Sequence, residues 1–283
     1  MRLVRVGLIG LCAGLILLVP EAPRAETASK PVAATRKLKA NYDLELAGFR
    51  FGDFSLTANF DGPRYDMVAK GEFEILAGLL FRGDGTTRSA GTLTDAGPKP
   101  SMFEVSYKGG DKKEKRQMRF ADGAVTQFSI VPAKSKKKQN PNKVPLNEEQ
   151  LVDVLDPLTA AFLSIRSNLP PGDPELCRRS TRVFDGQQVF DIILSPKRTD
   201  KLLDGAPSAI PQSVAVCRVK YIPVSGYRSD NPGVQFMRET DEVEVWLASV
   251  TDEGLYLPYR IVVPTPLGSG SATLTKVSTK SAQ

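Results

Sequence analysis

Residues 38–60 read LKANYDLELAGFRFGDFSLTANF, and this stretch decides the fold class. Tyr42, Leu44 and Leu46 alternate with Asp43 and Glu45; Phe54, Leu56, Ala58 and Phe60 alternate again beyond Gly52-Asp53. Side chains of an extended chain point to opposite faces in turn, so a period of two predicts half-buried strands. Asp61-Gly62-Pro63 then supplies residues whose dihedrals suit a turn.

The pattern continues on the C-terminal side. Tyr65, Met67, Ala69, Phe73 and Ile75 alternate, Gly83-Asp84-Gly85 reads as a turn, and residues 101–108, 117–120 and 125–131 read as three more strands. Later, residues 181–184 and 188–194 flank Asp185-Gly186 as a tight hairpin. Residues 213–222 form a strand carrying Cys217, residues 236–248 a long strand, and 257–263 and 272–277 the last two. A sheet of roughly a dozen strands must curl or split. The expected fold class is therefore mainly β: a large curved antiparallel sheet, barrel-like or half-barrel, forming a single domain over residues 38–277.

One segment departs from alternation. Asn147 with Gln150 three residues on is a helix-start pattern, and Asp156-Pro157 is another, an acidic cap before a proline at the first helical position. Leu158, Ala161, Phe162 and Ile165 then make one apolar stripe, closed by Pro170-Pro171-Gly172. This helical insert near residues 147–167 needs a surface to cover, and the curved sheet is the surface expected.

At the other end, Arg2 and Arg5 precede an apolar run from Val6 to Val19 that Pro20 breaks. The run is too short for a comfortable bilayer span and predicts a secretory leader over residues 1–25. A small, polar lead-in follows over 26–37, expected to be disordered. Loss of the leader removes three basic residues and one acidic residue, taking the formal charge from +6 to +4. That is no nucleic-acid footprint. The expected location is the periplasm. There an even pair of cysteines, Cys177 and Cys217, reads as a disulfide contributing about 4 kcal/mol by the chain-entropy model.

Several motifs together carry a family resemblance. They are Cys177-Arg178-Arg179, Val183-Phe184-Asp185-Gly186, Phe190-Asp191, and Cys217-Arg218-Val219-Lys220-Tyr221 with Pro223-Val224-Ser225-Gly226-Tyr227. Tyr42, Gly48, Gly52, Gly71, Arg88-Ser89, Gly91, Asp156-Pro157, Pro258, Arg260 and Ile261 add to them. Over about residues 38–277 the chain resembles the bacterial periplasmic family known as domain of unknown function 3108. The resemblance implies an exported β-rich fold, similar in style to the curved sheets that shuttle lipoproteins or support envelope integrity. It implies no catalytic residue.

The chain contains no histidine, which excludes Ser-His and Cys-His nucleophilic sites and leaves no His/Cys cluster for zinc. No metal or other cofactor is expected. Gly268-Ser269-Gly270-Ser271 reads as a turn before a strand. Asp241, Glu242 and Glu244 could serve a carboxylate-dependent hydrolase of envelope polymers, but charged residues on a strand more often form a solvated face. Lys112, Lys113, Lys115 and Arg116, and Lys136, Lys137 and Lys138, are candidates for contact with an anionic surface, against the plainer reading of solvated loops. Phe51, Phe54, Leu56, Phe73 and Phe162 are candidates to line a ligand cavity in the curved sheet. The expected function is a non-catalytic exported envelope protein that binds a lipid-like ligand or supports envelope integrity. An assembly factor that binds envelope proteins is the alternative. Oligomeric state has no signature in the sequence.

Overall fold

The computed structural model describes residues 36–75, 81–110, 112–132, 140–251 and 254–281. The expected leader, the lead-in through residue 35, and Lys136, Lys137 and Lys138 lie outside the described residues. Arg36 and Lys37, assigned to the lead-in above, already belong to the first strand.

Seven strands come first: β1 (Arg36–Leu46), β2 (Phe49–Asp61), β3 (Arg64–Ile75), β4 (Phe81–Thr94), β5 (Gly97–Gly109), β6 (Lys112–Ala121) and β7 (Ala124–Val131). Six follow a long connection: β8 (Arg179–Phe184), β9 (Val189–Lys201), β10 (Ser213–Ser225), β11 (Glu244–Ser249), β12 (Tyr256–Thr265) and β13 (Gly268–Ser281). All pairs are antiparallel, and β1 pairs with β13, so a single 13-stranded sheet runs β7 to β1 and then β13 to β8. The first strand sits at the centre of the sheet, and the free edges are β7 and β8.

Alternation sorts the two faces. Leu56, Ala69, Thr87, Val105 and Arg116 are successive cross-strand partners and share the inner face. Leu38, Tyr42, Leu56, Met67, Phe103 and Met118, none more than 3 % exposed, belong to the core there. On β10 and β11 the opposite face is covered too: Ala215, Cys217, Val245 and Leu247 pack with Ile165, Leu176 and Cys177. The sheet is single-sided in its first half and sandwiched in its second.

The long connection explains the difference. It contains a 3₁₀ turn (Glu148–Leu151), the helix α1 (Pro157–Phe162) against the inner face, and a second 3₁₀ turn (Pro174–Cys177). Residues 152–155, with Asp153 in the left-handed region (φ 53°), stitch the free edges together. Asp153 N donates to Gly123 O (2.8 Å) beside β7, while Leu155 N donates to Arg182 O and Phe184 N to Leu155 O (both 2.9 Å) on β8. Beyond α1, Tyr256 N donates to Ile165 O (3.0 Å) and Ser167 N to Gly254 O (2.9 Å). The chain then lies across the outer face, where the Cys177–Cys217 disulfide (Cα–Cα 5.3 Å) pins it to β10.

Four sequence expectations need correction. The helical insert near residues 147–167 is a 3₁₀ turn, a non-helical stitch and a six-residue helix that restarts at Asp156-Pro157, because residues 152–155 are claimed by both sheet edges. The long strand over 236–248 is a helix, α2 (Pro232–Glu239), followed by the shorter β11. There the Asn231 side chain accepts from Gly233 N and Val234 N, and Pro232 presets the first turn. Gly83-Asp84-Gly85 lies inside β4, paired to β3 and β5 rather than turning. Gly268–Ser271 begins β13.

Candidate functional site

The site is built on α1. Asp156 caps it: Oδ1 accepts from Leu158 N (3.0 Å) and Thr159 N (2.9 Å), satisfying two amides that a helix start leaves free. Asp156 is fully buried, and its Oδ2 accepts from Ser89 Oγ on β4 (2.9 Å). Because Ser89 donates there, Thr159 Oγ1 (2.8 Å away) must donate to Ser89, and Tyr65 Oη (3.0 Å) to Thr159. A chain of three hydroxyls ending on one carboxylate thus bolts α1 to β3 and β4. Gly91 keeps room for it, since a Cβ there would lie 2.7 Å from Tyr65 Oη. Burial pushes the Asp156 carboxyl above its ordinary value, against the lowering effect of these hydrogen bonds. Burial likewise raises the Tyr42 and Tyr65 hydroxyls.

Between α1 and the inner face lies a cavity of about 410 Å³. Phe54, Phe103, Val105, Tyr107, Leu158 and Phe162 supply its apolar wall. Phe54 and Phe162 stack with centroids 5.8 Å apart, and Tyr42 meets both rings from the side. At one end the lining becomes charged. Arg116 Nε donates to Glu114 Oε1 (2.6 Å), and its Nη1 donates to Asp185 Oδ2 (3.2 Å). Asp185 Oδ1 in turn accepts from Gln187 N and Gln188 N in the β8–β9 turn. One guanidinium therefore faces two carboxylates, a largely buried polar rim on an apolar chamber.

The expected lining residues divide. Phe54 and Phe162 line the cavity; Leu56 is 1 % exposed and belongs to the solid core. Phe73 stacks on the lining residue Tyr107 (6.2 Å) from behind, and Phe51 falls where the β1–β2 register shifts, away from the lining. Among the expected surface cations, Lys112 and Lys113 are exposed at the β5–β6 tip, and Lys115 pairs with Glu104 (3.1 Å). Arg116 corrects that grouping: it shares a face with Met118 and points inward. Phe103, Val105, Tyr107, Glu114, Leu158 and Asp185 were not foreseen. The inward place of Glu114 and Arg116 was nevertheless readable, since Met118 and Phe120 continue their alternation as core residues.

The carboxylates considered for hydrolysis are not gathered into a site. Burial alone would raise Glu244, but hydrogen bonds from Arg198, Lys197 and Trp246 Nε1 outweigh it and hold the group down at about 2. Such a carboxylate stays ionised and offers no proton at neutral pH. Glu242 lies outside β11 and is exposed, while Asp191 pairs with Arg182 (2.8 Å). Among the described residues no three His, Cys, Asp or Glu side chains gather as a metal site, and no helix is long and apolar enough to cross a membrane.

The residues that carried the family resemblance converge on this frame. Ser89 and Asp156 share a hydrogen bond, Tyr42 Oη donates to Pro258 O (2.8 Å), and Cys177 is bonded to Cys217. The model of the family described as "Protein of unknown function (DUF3108)" matches residues 41–275. The chain belongs to that family. The crystal structure of a "Beta-barrel-like Protein of Domain of Unknown Function DUF1849" from Brucella abortus is similar to this DUF3108 member over 87% of this chain and 98% of that one. Identity is 11% and the TM-score 0.47. No curated protein matches.

Proposed function

We propose that this DUF3108 protein is a non-catalytic cell-envelope protein of the periplasm that holds a lipid-like, apolar moiety in the cavity beneath α1. The observation that carries the reading is the cavity itself: about 410 Å³, walled by aromatic and aliphatic side chains, with charge confined to one end. That is the size and composition of a small-molecule pocket. Each methylene buried there gains about 0.8 kcal/mol, while the Glu114–Arg116–Asp185 rim suits the polar end of an amphiphile. A buried disulfide suits an oxidising compartment.

Mass spectrometry of lipids extracted from protein purified out of its native compartment tests the proposal. The parent should carry an acyl-containing species in a fixed ratio. A Val105→Trp variant, whose indole fills the cavity from β5, should lose it. A parent that arrives empty, or a variant equally loaded, would sink the reading.

A further inference from the structure

Two large apolar side chains stand almost bare: Phe49 is 79% exposed and Leu267 is 75% exposed. Such exposure on two isolated residues carries little meaning, but these two share a place. Phe49 opens β2 beside the Ala47-Gly48 turn, and Leu267 lies in the β12–β13 turn. Ala47 N donates to Ser269 O (2.9 Å), which joins the two hairpin tips. Strand alternation puts the β5–β6 and β8–β9 turns at the same end of the sheet. There Lys108 and Lys113 stand directly opposite each other, with Lys112 beside them. All three are exposed and make no ion pair among the described residues. Lys108 also stands opposite Asp84 on β4, so among the described residues the cations left for an outside anion are Lys112 and Lys113. Arg50, near Phe49, is already held by Asp43 and Asp53, so the available positive charge is that of Lys112 and Lys113. The charged rim of the cavity, with Asp185 in the β8–β9 turn, faces this end too.

From these placements we infer that this end of the sheet docks on an anionic lipid bilayer, with Phe49 and Leu267 inserted among the headgroups and Lys112 and Lys113 against their phosphates. A protein partner would need a continuous surface of about 800 Å² on each side. Among the described residues the end presents exposed hairpin tips with cations alongside, which is what an interface between water and hydrocarbon accommodates. The docked pose turns the cavity rim toward the bilayer. The inference goes beyond the cavity reading and stands apart from it, since neither tip residue lines the cavity.

Co-sedimentation of the protein recovered from its native compartment tests it, using phosphatidylcholine vesicles with and without about a quarter phosphatidylglycerol. The parent should bind the mixed vesicles, and less so as salt is raised. Phe49→Ser with Leu267→Ser should weaken binding about tenfold while circular dichroism stays unchanged, because both side chains are already solvated. Lys112→Gln with Lys113→Gln should remove most of the preference for the anionic lipid. Val105→Trp should bind as the parent does, so a failed cavity and a failed docking surface give different results. A parent that stays in the supernatant, or a tip variant that sediments unchanged, overturns the inference. So does a parent dimer that the tip variant converts to monomer, which would mean that the tips meet a second copy.

Discussion

Phe128 on one free edge of the sheet packs edge-on against Phe184 on the other, with ring centroids 5.3 Å apart and planes at 86°. The rings meet where no ladder of hydrogen bonds joins β7 to β8. Closure of the sheet therefore rests on side chains and on the stitch of residues 152–155, assisted by the Arg116–Asp185 pair. An open edge is a template for wrong pairing; here each edge is partly occupied by the protein's own connection.

Phe184 is fully buried and Phe128 is 46% exposed, so truncation should be unequal. Phe184→Ala should cost about 3–4 kcal/mol and Phe128→Ala about 1 kcal/mol. The double variant should show a coupling of about 1 kcal/mol, as aromatic pairs in contact do. Urea unfolding of the four proteins measures all three quantities.

Asp156 makes a pH-dependent prediction. Its carboxyl is raised in the native state, so the folded protein holds that proton to higher pH than the unfolded chain does. The parent should therefore lose stability relative to Asp156→Asn as pH climbs from about 4, the unfolded value, through the raised native one. Asp156→Ala should be worse than either, by about 2–3 kcal/mol at pH 7, because two helix amides and the Ser89 hydroxyl lose their acceptor. Thermal unfolding across the pH range checks both statements.

Glu244 should behave in the opposite sense. Its native value near 2 lies below the unfolded one, so its contribution is present above about pH 4 and fades as pH falls toward 2. Glu244→Gln should cost about 2 kcal/mol at pH 7 and about a quarter of that at pH 2.5. An equal cost at both values would mean that the ion pairs with Lys197 and Arg198 contribute nothing.

Much of the frame was legible because strands announce themselves locally. The alternations around Tyr42 and Phe54, the hairpin at Asp185-Gly186 and the helix start at Asp156-Pro157 all involve residues near one another in the chain. α2 was missed because Thr240 to Trp246 alternates convincingly, which masked the quieter start signal Asn231-Pro232. The cavity was half visible for a different reason. Phe54 and Phe162 are conspicuous aromatics, whereas the alternation that turns Glu114 and Arg116 inward gives no hint that Val105, Phe103 and Asp185 come beside them, which depends on register across several strands.

Replacing Cys177 and Cys217 by alanine together should lower stability by about 4 kcal/mol, since the bridge closes a loop of 40 residues. The bridge also holds the connection against the back of β10. Amide exchange should therefore rise first in residues 164–178, before the inner face loosens. Uniform exchange throughout would show that the bridge acts only on the unfolded chain.

The stretch that carries α1 is thus fastened twice, by the edge stitch before it and by sulfur behind it. A segment moored at both ends is a floor rather than a door: it has no free end to swing.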